Sequence, residues 1–576
     1  MTLTLATPLT ITDHLGIARR LSMQVEPIAD HTTAIRSLDW DRDRFDIEFG
    51  LNNGTTYNSF LIQADQTALV DTSHAKFRQL YLDTLQGLVD PQKIDYLIIS
   101  HTEPDHSGLV KDLLAIAPQA VVVASKVAIQ FLAGFIHQPF ESIVVKNGDQ
   151  LDLGQGHMLQ FVSAPNLHWP DTMLTYDFGS ETLFTCDVFG MHYCSAELYD
   201  RDLTAIMPDY RFYYDCLMAP NARSVLAALK RMDELPGFQA IATGHGPLLR
   251  HHLPALVANY RTWSESQTKT ATNVAVFYTS DYGFSDRLSQ AIAKGITKTG
   301  VAVEMVDLKV ADLQEIREAV EQANGLVIGM APNSTGVGNI LAAANHKQYF
   351  GLYECFGGED QPIDLLANQL TDLGLTSGFA MIRLQAPPTS AVYQLCEESG
   401  TDLGQLLTRK QNISQAKAIN PDLDKALGRI AGGLYIITAH KDQLKSAMLA
   451  SWVTQASFKP LGISIAVAKD RAIESFMQVG DRFVLNVLEE GNYTKLMQHF
   501  LKRFAPGADR FAGIKTQPAS NGAPILQEAL AYIECQVASR MECSDHWLIY
   551  AIATEGKVSK PQGITATHHR KVGNHY

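Results

Sequence analysis

Residues 100–108 read Ser100-His101-Thr102-Glu103-Pro104-Asp105-His106-Ser107-Gly108 and directly follow the apolar run Tyr96–Ile99. Four of these side chains can bind a metal, and they fall within six residues at a predicted strand end. Loops at strand ends present side chains to a cleft. A polar turn with incidental histidines is the alternative, but four such residues in this order argue against it. We therefore predict a metal site in this segment.

Later predicted strand ends supply three more candidate ligands. His168 lies in Pro165–Asp171, Asp187 follows the apolar run Leu183–Thr185, and His245 stands between two glycines. The 100–108 segment resembles the metallo-β-lactamase-like superfamily, whose pattern is H-x-H-x-D-H, with Glu103 in the place of the second histidine. Imidazole-rich sites suit zinc, whereas mixed imidazole and carboxylate sites suit iron. The substitution therefore points away from zinc hydrolysis and towards iron redox chemistry.

The spacing of all seven residues resembles that of the flavodiiron proteins. The resemblance implies that two iron ions are bound, with Asp187 as a bridging, catalytic ligand. It assigns the remaining ligands to two sets, His101, Glu103 and His168 for one iron, and Asp105, His106 and His245 for the other. Tyr193, which follows His192, is a second candidate catalytic residue beside the metals, with an ordinary packed tyrosine as the alternative.

A second cofactor site is predicted after the run Val274–Tyr278. The segment 279–285 is rich in hydroxyls and Gly and opens an amphipathic helix, where backbone N–H groups can hold a phosphate. Two further loops, 329–336 and 353–359, follow neighbouring strands of a predicted doubly wound sheet. This combination resembles flavodoxin and implies FMN, whereas a capped helix start and core aromatic packing are the alternatives. The candidate FMN-binding residues are Thr279, Ser280, Tyr282, Gly283, Ser285, Pro332, Asn333, Ser334, Tyr353, Phe356 and Gly357.

A third segment, Ser446–Pro460, is dense in hydroxyl and amide groups around one Trp. Together with Phe483–Leu488 and the cluster His568–Lys571, it resembles flavin-reductase-like split barrels. The resemblance implies a second flavin, FMN or FAD, bound by Ser451, Trp452, Thr454, Gln455, Ser457 and Asn486. The polar face of a strand pair is the alternative for the first segment. His568–Lys571 either attracts a phosphate or nicotinamide dinucleotide or is a solvated tail.

The length of 576 residues predicts several domains, and the motifs indicate three. We expect an αββα metallo-β-lactamase-like domain over 30–262, a doubly wound flavodoxin-like domain over 273–412 and a β-rich split-barrel domain over 425–576. Polar stretches at Ser264–Thr272 and Thr408–Asp424 are predicted to be linkers. The fold class is thus a multidomain α/β protein.

Net charge and cysteine content limit the classes of function that the sequence allows. A net charge of −14 argues against a nucleic-acid partner. Seven cysteines without a C-x-x-C motif suit a reducing cytoplasm. The sequence has neither a run of apolar residues long enough to span a membrane nor an evident signal peptide. We expect a soluble, cytoplasmic protein, with peripheral association with thylakoid membranes left open.

The resemblance to flavodiiron proteins carries a functional expectation. It implies reduction of O2 to water with electrons from NAD(P)H, or from another photosynthetic donor, passed through flavin as an electron sink in photoprotection. It also implies a head-to-tail homodimer or a heterodimer with a paralogue. NO reduction at the same metals, or a zinc-dependent hydrolase, are the alternatives.

Overall fold

The computed structural model describes residues 9–12, 18–45, 49–268, 272–279, 284–309, 311–330, 336–355, 362–418, 420–441 and 443–573. The chain divides into two compact units, Met1–Asp286 with Ala302–Asn345, and Arg287–Val301 with His346–Tyr576. The predicted division into three domains stays a prediction.

The first unit is built from strands and helices in alternation. Its strands are β1 (Leu9–Thr12), β2 (Ala18–Ala29), β3 (Thr32–Asp39), β4 (Arg44–Phe45), β5 (Phe49–Gly50), β6 (Thr55–Gln63), β7 (Thr67–Val70), β8 (Tyr96–Ile99), β9 (Val121–Ala124), β10 (Ser142–Val144), β11 (Gln150–Asp152), β12 (Met158–Ser163), β13 (Met173–Asp177), β14 (Thr182–Cys186), β15 (Ala240–Thr243), β16 (Asn273–Tyr278), β17 (Ala302–Asp307) and β18 (Gly325–Met330). Its helices are α1 (Arg78–Leu88), α2 (Pro104–Ser107), α3 (Val110–Ile116), α4 (Lys126–Ile136), α5 (Leu203–Tyr213), α6 (Ala222–Met232), α7 (Leu253–Thr268), the start of α8 (Phe284–Thr297), α9 (Leu313–Gln322) and α10 (Val337–Ala343).

Two sheets face each other in the first unit. One runs in the order β1-β2-β3-β6-β7-β8-β9-β10 and the other in the order β11-β12-β13-β14-β15. Phe60 and Val70 of the first sheet pack with Phe161 and Phe184 of the second in one apolar cluster. Two further clusters join the outer faces of the sheets to helices. These layers confirm the predicted αββα arrangement.

The strands that follow are parallel. In the first unit β16 lies between β17 and β18, with every pairing parallel. In the second unit β19 (Tyr349–Cys355) pairs in parallel with β20 (Thr376–Ser377) and β21 (Ile382–Leu384). Apolar residues fill β16, as expected for a strand buried on both faces. This arrangement agrees with the doubly wound, flavodoxin-like expectation.

The second unit ends in an antiparallel sheet. The remaining strands are β22 (Gly432–Gly433), β23 (Tyr435–Lys441), β24 (Leu444–Ala450), β25 (Val453–Phe458), β26 (Leu461–Ala468), β27 (Arg482–Val487), β28 (Thr516–Pro518), β29 (Pro524–Leu526), β30 (Ala531–Cys543), β31 (His546–Val558) and β32 (Thr567–His568), and the helices are α11 (Pro362–Asp372), α12 (Ser390–Ala418), α13 (Pro421–Leu427) and α14 (Thr494–Leu501). Seven strands follow the order β24-β23-β27-β30-β31-β26-β25 around one apolar cluster. In the described part of the chain no ladder joins β24 to β25, so the seven strands do not close into a complete barrel.

Both predicted linkers are wrong in part, because helices run through them. Helix α7 extends to Thr268, and Ser264 is fully buried with its hydroxyl 2.8 Å from the Tyr214 hydroxyl. Helix α12 extends from Ser390 to Ala418. Polar composition misled the prediction, since Ser264 and Thr408 are both buried and the hydroxyl of each finds a hydrogen-bond partner inside the fold.

A buried ionic network ties α12 to its surroundings in the second unit. Glu397 of α12 lies 2.9 Å from Lys294 Nζ and also pairs with Lys298. Lys298 Nζ lies 2.6 Å from Glu474, which in turn pairs with Arg540 of β30. Burial works against the two carboxylates, but the facing cations lower the pKa of both. We call these five residues the ionic seam.

Candidate metal centre and flavin sites

The candidate ligands come from loops that follow strands. Helix α2 begins with Pro104 in the first turn, a position that Pro favours, and carries Asp105 and His106 just beyond β8. Asp187 follows β14, whose last residue, Cys186, has a left-handed φ of 51°. That conformation costs a residue with a Cβ about 1–3 kcal/mol and is typical of functional sites.

The structure brings all seven predicted metal ligands together in two groups. The first contains His101, Glu103, His168 and Asp187, and the second contains Asp105, His106 and His245. Within each group the ligand atoms lie within 4.8 Å of one another. All seven residues are buried.

Asp187 directs one carboxylate oxygen to each group. Its Oδ2 lies 3.3 Å from Nε2 of both His101 and His168. Its Oδ1 lies 2.9 Å from His106 Nε2 and 3.3 Å from His245 Nε2. This geometry suits a carboxylate that bridges two metal ions.

The remaining distances fit two metal ions as well. Glu103 Oε2 lies 2.9 Å from His168 Nε2, and Asp105 Oδ2 lies 3.3 Å from His245 Nε2. Ligand atoms about 2.1 Å from one ion stand about 3 Å apart at right angles. The buried Asp105 Oδ1 has no hydrogen-bond partner among the described residues. The four imidazoles and three carboxylates form a donor set that suits iron.

Neighbouring groups fix the orientation of the imidazoles. His245 Nδ1 lies 2.6 Å from the Thr56 carbonyl oxygen, to which it donates. His101 Nδ1 lies 3.3 Å from Asp171, which also accepts from the Thr102 amide at 2.9 Å. Such partners leave Nε2 free to bind the metal. Asp171 stands in a segment that the sequence singled out, but its role was not predicted.

The electrostatics of the cluster favour cations. Burial opposes protonation of His168 and His245, but facing carboxylates, chiefly Glu103 for the first and Asp105 for the second, raise their pKa values to about 9 and about 10. Burial likewise opposes ionisation of Asp187, yet His106, His101 and His168 hold its pKa well below 3.8. Metal ions can replace the imidazole protons that balance this negative charge.

Tyr213 is a functional candidate that the sequence analysis missed. Its ring lies 5.0 Å from that of His192 and 6.2 Å from that of His245. Its hydroxyl is buried without a hydrogen-bond partner in the described part of the chain. Burial, with a contribution from Asp187, raises the Tyr213 pKa well above 10. The only signal was a run of aromatic residues at the end of α5, which does not distinguish a site from a core.

Tyr193 is the tyrosine that the sequence predicts to be catalytic. It is half-buried and packs against the apolar cluster beside the second sheet. Its predicted catalytic role stays a prediction. His192 before it is buried, with Nδ1 2.8 Å from Thr55 Oγ1 and its ring 4.6 Å from that of His245.

Most predicted FMN-binding residues of the flavodoxin-like region lie outside the described residues. These are Ser280, Tyr282, Gly283, Pro332, Asn333, Ser334, Phe356 and Gly357. Thr279 and Ser285 are buried on either side of the first loop, the second of them in the first turn of α8. Tyr353 is fully buried within β19.

The structure brings the first and last motifs of the reductase-like region together. The Arg570 guanidinium lies 5.0 Å from the centre of the Trp452 ring, and the His546 ring lies 5.2 Å from it. Ser451 is buried beside Trp452. A cation and an indole so placed can flank an anionic aromatic ligand.

The other predicted residues of this region have different surroundings. Thr454 and Gln455 are exposed on β25, an edge strand. Ser457 Oγ lies 2.6 Å from the Pro460 carbonyl oxygen and 2.7 Å from the Tyr550 hydroxyl. Asn486 is fully buried, where its amide donates to the Ile436 carbonyl oxygen and accepts from the Leu526 amide. Asn486 thus serves the interior of the barrel in this structure.

Comparison with known proteins places this arrangement in a family. A family model described as ODP family beta lactamase matches residues 55–246, and one described as flavin reductase like domain matches 427–574. Diflavin flavoprotein A 1 of Synechocystis sp. is 68% identical, over 97% of this chain and 98% of that protein. The chain belongs to the diflavin flavoprotein A family of flavodiiron proteins.

Further comparisons agree with the flavodiiron assignment. Putative diflavin flavoprotein A 3 of Nostoc sp. is 65% identical, over 97% of this chain and 98% of its own length. The solved metal-soaked Flv1 flavodiiron core from Synechocystis sp. matches with a TM-score of 0.64 and 39% identity, covering 68% of this chain and 99% of that one. The chain is therefore a flavoprotein oxidoreductase with metallo-β-lactamase-like and flavin-reductase-like domains. None of the helices in its described ranges has the length and apolar character needed to cross a bilayer.

Proposed function

We propose that this flavodiiron protein reduces O2 to water at two iron ions, with electrons passed from NAD(P)H through flavin, as an electron sink in photoprotection. The division of the Asp187 oxygens between two ligand groups carries this proposal. Glu103 supports it against a zinc hydrolase, because it adds a carboxylate where imidazole would suit zinc better. From family membership we also infer a head-to-tail homodimer or a heterodimer with a paralogue.

The bound groups would supply the electrons. Reducing O2 to two waters takes four electrons, and two ferrous ions and one fully reduced flavin hold that number between them. One iron would be held by His101, Glu103 and His168, and the other iron would be held by Asp105, His106 and His245. Asp187 would bind both irons. FMN would bind at the flavodoxin-like loops, and a second flavin, FMN or FAD, would bind beside Trp452.

The chain itself supplies a candidate proton donor in buried surroundings beside the ligand groups. The Tyr213 hydroxyl stays protonated at neutral pH, because burial raises its pKa well above 10. Burial and the neighbouring His245 lower the His192 pKa well below 6.5, so this imidazole is neutral. We infer that Tyr213 donates a hydrogen bond, and then a proton, to the oxygen substrate, while the buried rings around it exclude water.

Anaerobic purification with metal and flavin counting tests the proposal. We expect two irons and two flavins per chain, and O2 consumption with NADH or NADPH as donor. Two zinc ions without iron would contradict the proposal, and so would NO turnover many-fold faster than O2 turnover. Reduced ferredoxin in parallel would reveal another photosynthetic donor.

Replacing Tyr213 with Phe should slow O2 reduction while leaving iron content unchanged. The variant removes the hydroxyl but keeps the ring against His192 and His245. Loss of a general acid lowers a rate by roughly 10²-fold or more. Single-turnover oxidation of the fully reduced protein by O2 measures the effect. Tyr193→Phe is the matched comparison, and equal rates for all three proteins would remove Tyr213 from the mechanism.

Removing the metal ions should destabilise the first unit specifically. Without metal, the negative charge of three buried carboxylates is balanced only by protons on the imidazoles. Because metal ions bind the folded state, their removal also takes away the stabilisation that this binding provides. We expect chelation to speed amide exchange in the loops around residues 100–108, 168, 187 and 245. Exchange in residues 427–574 should not change. Equal protection in both regions with and without metal would contradict the prediction.

A further inference from the structure

Arg36 of β3 is a fully buried cation whose hydrogen bonds all go to neutral acceptors, although Cys194 and the Glu26 carboxylate favour its charge electrostatically. Its side chain has no accessible surface, and none of the described carboxylates forms an ion pair or hydrogen bond with it. Nη1 donates to Gln24 Oε1 at 2.6 Å and to the Glu197 carbonyl oxygen at 3.2 Å, whereas Nε has no partner among the described residues. Burial lowers the Arg36 pKa to about 10, so the group remains charged at neutral pH.

Strand pairing places Arg36 in a polar row across the first sheet. Gln24 of β2 and Asn58 of β6 are its direct neighbours on either side. Residues opposite each other in antiparallel strands point to the same face, as do residues two apart on one strand. Thr56 therefore shares this face with Asn58 and Arg36.

This row holds the loop that carries His245. The Gly246 carbonyl oxygen accepts from Arg36 Nη2 at 3.2 Å and from Asn58 Nδ2 at 3.0 Å. The Gly246 amide donates to Thr56 Oγ1 at 2.8 Å. Gly246 has a φ of 77°, and a Cβ there would lie 2.6 Å from the Met191 carbonyl oxygen. The chain beside His245 is thus held in a single conformation.

The energetics suggest why a cation stands here. An unpaired buried charge is costly, and apolar residues of similar volume are often neutral or stabilising replacements for buried ions. Any of the three neutral acceptors could be satisfied by a neutral donor, so hydrogen bonding alone does not require a guanidinium. Through its bond to Gly246 the guanidinium lies one residue from His245, which belongs to the cluster of three buried carboxylates and four imidazoles that would bind the metal ions.

We propose that Arg36 is a positioning residue for His245 and that its unpaired positive charge raises the reduction potential of the diiron centre. This inference rests on the proposed function, because it requires iron at the seven ligands. A fixed positive charge favours the state of lower metal charge, which is the ferrous state. The guanidinium fork supplies the donor to Gly246 at the same time.

Three substitutions separate the positive charge of Arg36 from the hydrogen-bond donors of its guanidinium. Arg36→Met removes both the charge and the donors. Arg36→Gln removes the charge but keeps an amide donor, whereas Arg36→Lys keeps the charge without the planar guanidinium. Arg20→Met is the matched control, because Arg20 lies on β2 but is exposed and pairs with Asp41. Circular dichroism checks folding, iron affinity is measured by competition with a chelator, and an anaerobic redox titration gives the potential.

We expect Arg36→Met and Arg36→Gln to shift the ferric–ferrous equilibrium about tenfold towards ferric, which lowers the midpoint potential by about 59 mV. Arg36→Lys should keep the midpoint potential. Both Arg36→Lys and Arg36→Met should lower iron affinity about tenfold, because each loses the group that orients the ligand His245. Arg20→Met should change neither. If Arg36→Met and Arg36→Gln fold but keep the midpoint potential of the unaltered protein, the role of the charge is overturned. If Arg36→Lys binds iron as tightly as the unaltered protein, the positioning role is overturned. An unaltered protein that binds no iron would instead overturn the proposed function.

Discussion

Replacing Asp187 with Ala should abolish O2 reduction while the flavins are still reduced. Among the described residues, Asp187 directs its two oxygens to both ligand groups, so in the variant neither of the proposed irons would keep its full set of ligands. We expect O2 consumption to fall by roughly 10³-fold or more, since the ligands act as a unit. Reduction of flavin by NAD(P)H, followed by absorbance under anaerobic conditions, should proceed at the original rate, because the proposed site of this step lies in residues 427–574 and not at the metal centre.

Asp112→Ala is the control for this experiment. Asp112 is a carboxylate on α3 that pairs with Arg78 at the surface, with Oδ1 2.7 Å from Nε. Exposed pairs contribute about 0–1 kcal/mol, so this variant should consume O2 normally. Unchanged O2 consumption in Asp187→Ala would refute the bridging role. Loss of flavin reduction together with O2 reduction would show a folding defect, for which metal content and circular dichroism provide the check.

Replacing Lys298 with Met should strongly destabilise the second unit. Lys298 is the central cation of the ionic seam, since it pairs with both Glu397 and Glu474. Breaking a buried pair by removing one partner costs about 3–5 kcal/mol, because a poorly compensated charge is left behind. Amide exchange in β30 and α12 measures the effect. Lys495→Met is the control, since Lys495 pairs with Glu528 at the surface and should change stability by less than about 1 kcal/mol.

The same network gives a dependence on pH. Burial raises the pKa of a carboxyl group, but the cations of the seam outweigh it and leave both folded-state values below 4.5. A carboxylate with a lowered folded-state pKa contributes stability that is complete above its unfolded pKa and disappears as the pH falls through the folded value. The second unit should therefore lose stability below about pH 4.5. In Lys298→Met the folded-state pKa values of Glu397 and Glu474 should rise, because burial is then less well compensated, so the loss of stability in acid should be smaller. Identical acid profiles for the two proteins would contradict the assignment.

The metal ligands could be predicted because each stands at a strand end in a recognisable local pattern. Four of the seven fall within six residues, and chemistry alone restricts what such a cluster can do. Asp171, Tyr213 and Arg36 could not be predicted in the same way. Their importance arises from contacts with residues far along the chain, such as Arg36 with Gly246.

The fold shows the same division between local and distant information. Alternating apolar runs predict the alternation of strands and helices and the parallel sheet after residue 273. The αββα layers follow instead from the resemblance to the metallo-β-lactamase-like superfamily. The extent of α7 and α12 was missed, because their polar residues looked like linkers. Ser264 shows the reason, since it is buried and its hydroxyl pairs with that of Tyr214, a partner that local sequence does not reveal.

Three polar contacts between α12 and the reductase-like region bear on how the chain can be divided. Glu398 pairs with Arg510, Gln405 donates to Asp470, and Arg503 pairs with Asp402. Once separated, such groups exchange their partners for water, whereas an apolar face would aggregate. A chain shortened after α12 should therefore remain soluble as a separate protein. Loss or gain of the reductase-like region in evolution would then leave these polar groups exposed to water, rather than an apolar surface that aggregates.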